Sequence, residues 1–167
     1  MALRCYVHLG LWRLTAGVEG RKQHNEVLND HWEHLRFLEH GQLFTAVVEL
    51  HSLLDADSAT INLPHLVEAL EGQTGAQPLL REALIGAQPA FRGLRILRNA
   101  VYAHRTKKKS YVDVFKAAQI TPDQLQELVL TCVKIGNELR EKVGLEAQAP
   151  TSLPVDAYHR MLEQLAT

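Results

Sequence analysis

Apolar residues recur at three- and four-residue spacing along most of the chain, and apolar–polar alternation bounded by turn residues is scarce. This period belongs to helices that each bury one face. The pattern predicts a short N-terminal helix over residues 1–18, with a breaker at Gly17 to Gly20. A long helix then carries Val27, Leu28, Trp32, Leu35, Leu38, Leu43, Val47, Leu50 and Leu54, with a bend near Gly41. It stops at Asp55-Ala56-Asp57-Ser58, whose short polar side chains compete with the helix for backbone hydrogen bonds. Pro64 suits the first turn of a short helix ending before Gly72-Gln73-Thr74-Gly75, because the amide hydrogen it lacks would be unpaired there. A further helix starts near Pro78 or Pro89 and runs to about Arg105, followed by a loop from Thr106 to Ile120. Thr121-Pro122-Asp123-Gln124 reads as a capping box opening a helix to about Val143. Gly144 to Pro154 is a linker, and Val155 to Leu165 a last short helix.

The predicted class is all-α, an antiparallel bundle of four to five helices with short extra helices, because each apolar stripe must be buried against neighbours. At 167 residues the chain fits one domain over residues 1–146, with residues 147–167 as a linker and C-terminal helix packed on it. Eighteen basic residues against nineteen acidic ones give a net charge of -1, which excludes binding of nucleic acid through bulk charge. Cys5 and Cys132 show no metal-ligand spacing and point to a reducing compartment. Arg4, His8 and Arg13 interrupt the apolar start before a leader core develops, and no stretch is long enough to span a membrane. The expected location is the cytoplasm, with no membrane partner.

Charge is unevenly spread. No acidic residue lies between Glu82 and Asp113, whereas Arg92, Arg95, Arg98, Arg105, Lys107, Lys108 and Lys109 fall in that interval. These residues, with Tyr102 as a base-stacking group, are the candidate nucleic-acid-binding surface. The plainer reading is a solvated basic face.

Within the interval stands Arg98-Asn99-Ala100-Val101-Tyr102-Ala103-His104. At 3.6 residues per turn His104 falls near Leu97, Ala100 and Val101, and Arg98 lies about 120° away around the helix. One helix does not bring the two together, but two copies meeting across a two-fold axis can border one cleft. Leu97 and Val101 are then expected in the dimer seam. Cleavage of RNA without metal needs a base to take the 2′-hydroxyl proton and a cation to offset charge on the phosphoryl oxygens. Histidine suits the first task and the planar guanidinium the second, with Asn99 orienting either the phosphate or the imidazole. The catalytic candidates are therefore Arg98, Asn99 and His104. The same residues are also compatible with a core histidine beside an ordinary surface arginine.

Arg98, Asn99 and His104 match the signature of an arginine and a polar residue followed, a few residues on, by a histidine near a helix end. With the helix into Leu53-Leu54-Asp55-Ala56-Asp57-Ser58, then Ile61-Asn62-Leu63-Pro64, and the Thr121-Pro122 helix, the chain resembles the abortive-infection branch of the HEPN superfamily over roughly residues 25–143. The resemblance implies a four- or five-helix bundle, a homodimer with its cleft between subunits, and metal-independent endoribonuclease activity in phage-defence or toxin–antitoxin systems. RNA and a cognate antitoxin or regulatory protein are the implied partners. Some members only bind, so the alternative is a non-catalytic helical module that uses the same face for nucleic acid, nucleotide or protein.

His24, His31, His34 and His40 share the long helix, and His31 and His34 are near enough in sequence to share a metal. No HExxH or Glu-x-x-His accompanies them, and only Asp156-x-x-His159 comes close. They read as solvated or interfacial, and no metal or cofactor is called for. Phosphate-loop and nucleophile-elbow motifs are absent. Trp12 and Trp32 are expected in the core.

Overall fold

The computed structural model describes residues 1–57, 59–74, 78–103 and 110–165. Among them are eight helices and no strand: α1 (Ala2–Ala16), α2 (Val18–Asp30), α3 (Trp32–Leu54), α4 (Leu63–Thr74), α5 (Pro78–Ala103), α6 (Tyr111–Ala118), α7 (Pro122–Lys142) and α8 (Leu153–Leu165). The all-α expectation holds. Helix α1 packs on α3, α3 on α5, α5 on α7 and α7 on α1, which closes a ring of four helices around one core. Leu9, Leu43, Val47, Leu50, Leu94, Leu97, Leu125 and Val129 fill it. The remaining helices are applied from outside: α4 against α7, α6 against α5, and α2 and α8 against α1. A satellite cluster of Val27, Leu35 and Leu162 joins α2, α3 and α8.

The long helix breaks elsewhere than expected. Its interruption is at His31, with φ −108° and ψ 21°, and α3 runs unbroken through Gly41. A glycine inside a helix lowers stability by only about 1 kcal/mol, less than the packing of α3 on α1 returns. The N-terminal breaker is likewise Gly17 alone, in extended conformation, while Gly20 lies inside α2. Glycine is required at position 20 by contact: a Cβ there would stand 1.9 Å from the Leu14 carbonyl oxygen.

Helix α5 starts at Pro78 and continues through Pro89, which lies on its exposed side. The carbonyl that Pro89 leaves without an amide belongs to Ile85, an exposed residue. The stretch expected as a loop to Ile120 contains α6, whose Ser110 and Asp113 form a capping box. Tyr111, Val114, Phe115 and Ala118 supply a one-sided stripe. Phe115 stacks on Trp12 at 5.4 Å between ring centres. The Thr121 capping box is present as read from the sequence. Trp32 is not in the core: it is 46% exposed, with the Arg36 guanidinium 4.5 Å above its ring. That cation holds the indole at the surface. Cys5 and Cys132 are free and buried, and burial pushes each thiol up to about 12. No helix among the described residues is long and apolar enough to cross a membrane.

Candidate functional site

The site is built where the last turn of α3 meets the C-terminal half of α5. In α3 the buried register runs Leu43, Val47, Leu50, His51 and Leu54, so His51 occupies a core position four residues beyond Val47 and three before Leu54. It is only 4% exposed. In α5, Phe91 and Arg98 are seven residues apart and share a face, with Arg95 between them. The imidazole of His51 lies against the Phe91 ring at 5.2 Å between ring centres. Its Nδ1 accepts a hydrogen bond of 3.2 Å from Nη1 of Arg98.

Asp55, which caps α3 through an amide bond to the His51 carbonyl, carries its carboxylate 3.6 Å from the same Nδ1. Behind it, Asp57 takes the Ala59 amide and buried Asn62 takes the His65 amide at the start of α4. Asn62 also donates to the Asp57 carbonyl. Of the turn expected from Asp55-Ala56-Asp57-Ser58, Asp57 is thus tied into the start of α4, and Ser58 lies outside the described residues.

The electrostatics favour a neutral imidazole. Burial pushes the His51 pKa below the ordinary histidine value, Arg98 and Arg95 push the same way, and Asp55 opposes them. With Nδ1 accepting, the ring proton belongs on Nε2. That Nε2 and the Nε of Arg98 are buried and have no hydrogen-bond partner among the described residues. Arg98 makes no ion pair with a carboxylate among the described residues. It is a half-buried guanidinium fixed by a neutral acceptor, and the Asp55 carboxylate beside that acceptor forms no ion pair with it.

The other expected site residues fall unevenly around this centre. Asn99, Arg92 and Arg95 are exposed. Asn99 is therefore placed toward solvent. His104, Arg105, Lys107, Lys108 and Lys109 lie outside the described residues, as does the side chain of Tyr102. The expectation of Leu97 in a dimer seam is corrected: Leu97 is fully buried inside the protomer, facing the four-helix core. An exposed apolar residue of that helix near Arg98 is Ile96, at 47%.

Sequence reasoning overlooked His51. Its core register was legible in the Val47 to Leu54 stripe, but its partner is 47 residues away. The histidines that were singled out separate: His31 and His34 are exposed, His40 is half-buried, and His24 is buried 4.8 Å from the ring of His159. Among the described residues no group of three or more His, Cys, Asp or Glu is placed to hold one metal ion.

The ring of four helices, the charged α5 and the arginine-to-histidine spacing at its end agree with a comparison against protein families, in which the model described as AbiU2, of the HEPN group, matches residues 1–164. The match extends well beyond the resemblance over residues 25–143. Comparison with curated proteins and with solved structures gave no match. Because the family model spans nearly the whole chain, the protein belongs to the AbiU2 family of HEPN proteins.

Proposed function

We propose that the protein is a metal-independent endoribonuclease of a phage-defence or toxin–antitoxin type system, cutting RNA by attack of the 2′-hydroxyl on the adjacent phosphorus. The abortive-infection character follows from the family. The observation that carries the chemistry is the state of Arg98: a guanidinium held by neutral His51 at 3.2 Å, with no carboxylate neutralising it among the described residues. Such a cation is poised for a phosphate, since a planar fork that has not spent its charge on an internal anion offers it to the phosphoryl oxygens. Six residues further on, His104 supplies the base that takes the 2′-hydroxyl proton. Arg92, Arg95 and the run Lys107, Lys108 and Lys109 extend the positive surface along the strand, and Asn99 and Tyr102 serve phosphate and base.

The reading includes a homodimer, because Arg98 and His104 diverge by about 120° on one helix and converge only when two helices meet. A cognate antitoxin or regulatory protein would act by covering that cleft. Location in the cytoplasm belongs to the same proposal.

The test is cleavage of a single-stranded RNA by the purified chain in EDTA. The expected products end in a 2′,3′-cyclic phosphate, and DNA of the same sequence stays intact because it lacks the nucleophile. His104→Ala and Arg98→Ala should each lower the rate about 10²- to 10⁴-fold with the fold retained. RNA that is bound with undiminished salt dependence but never cut, by dimer as by monomer, would instead assign the chain to non-catalytic binding.

A further inference from the structure

We propose that His51 is a positioning residue for Arg98, holding its guanidinium in the orientation that meets the scissile phosphate; this rests on the reading of Arg98 given above. Three features of the structure support it. His51 is a polar ring at a core position, where a leucine would complete the stripe of Leu43, Val47, Leu50 and Leu54. It is gripped between two residues of one face of α5, with Phe91 against its ring and Arg98 on its Nδ1. Asp55 stands beside the same nitrogen without taking the bond, at 3.6 Å from Nδ1.

The arrangement distinguishes two protonation states. With the imidazole neutral, Nδ1 accepts from Nη1 of Arg98, and a rigid acceptor fixes a side chain that otherwise has four rotatable bonds. With the imidazole charged, Nδ1 becomes a donor. It can then turn only to Asp55, and the two cations repel. The charged groups bearing on His51 are Asp55 from its own helix and Arg98 and Arg95 from α5. Both arginines and burial favour the neutral, positioning state. A neutral acceptor fixes the guanidinium while leaving its charge for substrate, whereas a carboxylate in its place would neutralise it.

The experiment compares the full-length protein with His51→Asn, which keeps an acceptor near Nδ1 but does not titrate, and His51→Leu, which removes the acceptor. Circular dichroism establishes that each is folded, and a single-stranded RNA oligonucleotide is the substrate. His51→Leu should lower kcat by about 10- to 100-fold, as misplacement of a reacting group does, with KM changed less than about threefold. His51→Asn should stay near wild type at neutral pH.

The pH profile separates this from a structural role. On the acid side the wild-type log kcat should steepen toward a slope of two, from protonation of His104 and His51, and the His51→Asn profile should keep a slope of one. Should His51→Leu not fold, His51→Asn decides the matter alone through that slope. A folded His51→Asn with the wild-type slope, or with the rate loss expected of His51→Leu, overturns the proposal.

Nitrogen-15 NMR of the histidines gives a readout free of activity: His51 should carry its proton on Nε2, and its titration should move up in Arg98→Gln. An unmoved titration overturns the pairing whatever the RNA assay gives. A wild type that shows the NMR coupling but cuts no RNA defeats the ribonuclease reading instead, so the two failures are distinguishable.

Discussion

Among the described residues two histidines are buried, one in the main core and one at the junction of α2 and α8, and they are buried for different purposes. His51 sits in the main core with a guanidinium on Nδ1, a carboxylate nearby and a phenyl ring against its face. His24 sits where α2 meets α8, its ring edge-on to His159 at 4.8 Å, and His159 in turn lies 3.4 Å from Glu163. In both, burial is the first cause lowering the pKa. The second cause differs: for His51 it is a permanent cation, and for His24 another histidine. At His51 a charged guanidinium is bonded to a buried imidazole, a pairing that two apolar side chains of the same shape could replace with little loss of stability. A pair of histidines between helices only has to fasten them. A polar pair kept where apolar residues would serve is the mark of a functional site.

The largest effect that can break this comparison is on catalysis. Arg98→Ala should lower RNA cleavage about 10²- to 10⁴-fold. His24→Phe, which preserves an edge-on aromatic contact with His159, should leave the rate within about twofold of wild type. Measured kcat/KM for the two variants checks it. Equal losses would mean that the two histidine environments are not functionally distinct.

Binding comes next. Substituting Lys107, Lys108 and Lys109 together should weaken RNA binding and flatten its salt dependence, because every lysine that no longer meets a phosphate leaves about one counterion in place on the RNA. Titration at several salt concentrations measures the slope. The His24 end carries no comparable run of cations, and changing Lys22 there should not alter the slope.

Stability then separates the two ends through their glycines. Gly20→Ala drives a Cβ into the Leu14 backbone, which cannot yield as a side-chain tip would, and should cost about 1–3 kcal/mol or more. Gly41→Ala, exposed in mid-helix with nothing within 4 Å of its Cβ, should add about 0.5–1 kcal/mol. Urea unfolding of the two variants checks both signs.

What could be read from the sequence followed the range of the interactions. The Thr121 capping box and the all-α class depend on residues three or four apart, and they were legible. The motif from Arg98 to His104 was visible as a spacing in the sequence, and its role rests on the proposal above. Helix α6 was missed although Ser110 and Asp113 cap it, because the three lysines before it read as loop. The break at His31 was placed at Gly41, since propensity outweighed a local backbone change that no residue type announces. The Arg98–His51 bond was not legible at all. It joins two helices that only the tertiary fold brings together, and a histidine on an apolar stripe gives no sign of what it will meet.

The smallest effect sharpens the comparison through pH. A histidine whose pKa is lowered by folding binds its proton more readily unfolded, so the stability it contributes is present above the unfolded value of about 6.5 and is lost as pH falls through the folded one. Both His24 and His51 obey this sign, and Tm should therefore fall as the pH is lowered from 7.5 toward 5. Each non-titrating variant should remove part of that fall, His24→Phe at the α2–α8 junction and His51→Asn at the core. Hydrogen exchange tells them apart. At low pH the amides of α8 should lose protection first in the wild type, because Leu162 belongs to a satellite cluster of three buried residues, with Tyr158 packed against it, and not to the main core. In His24→Phe that early loss should disappear, while in His51→Asn it should persist unchanged. If α8 exchanged no earlier than α3, the His24–His159 contact would not be the fastening of α8 to α2.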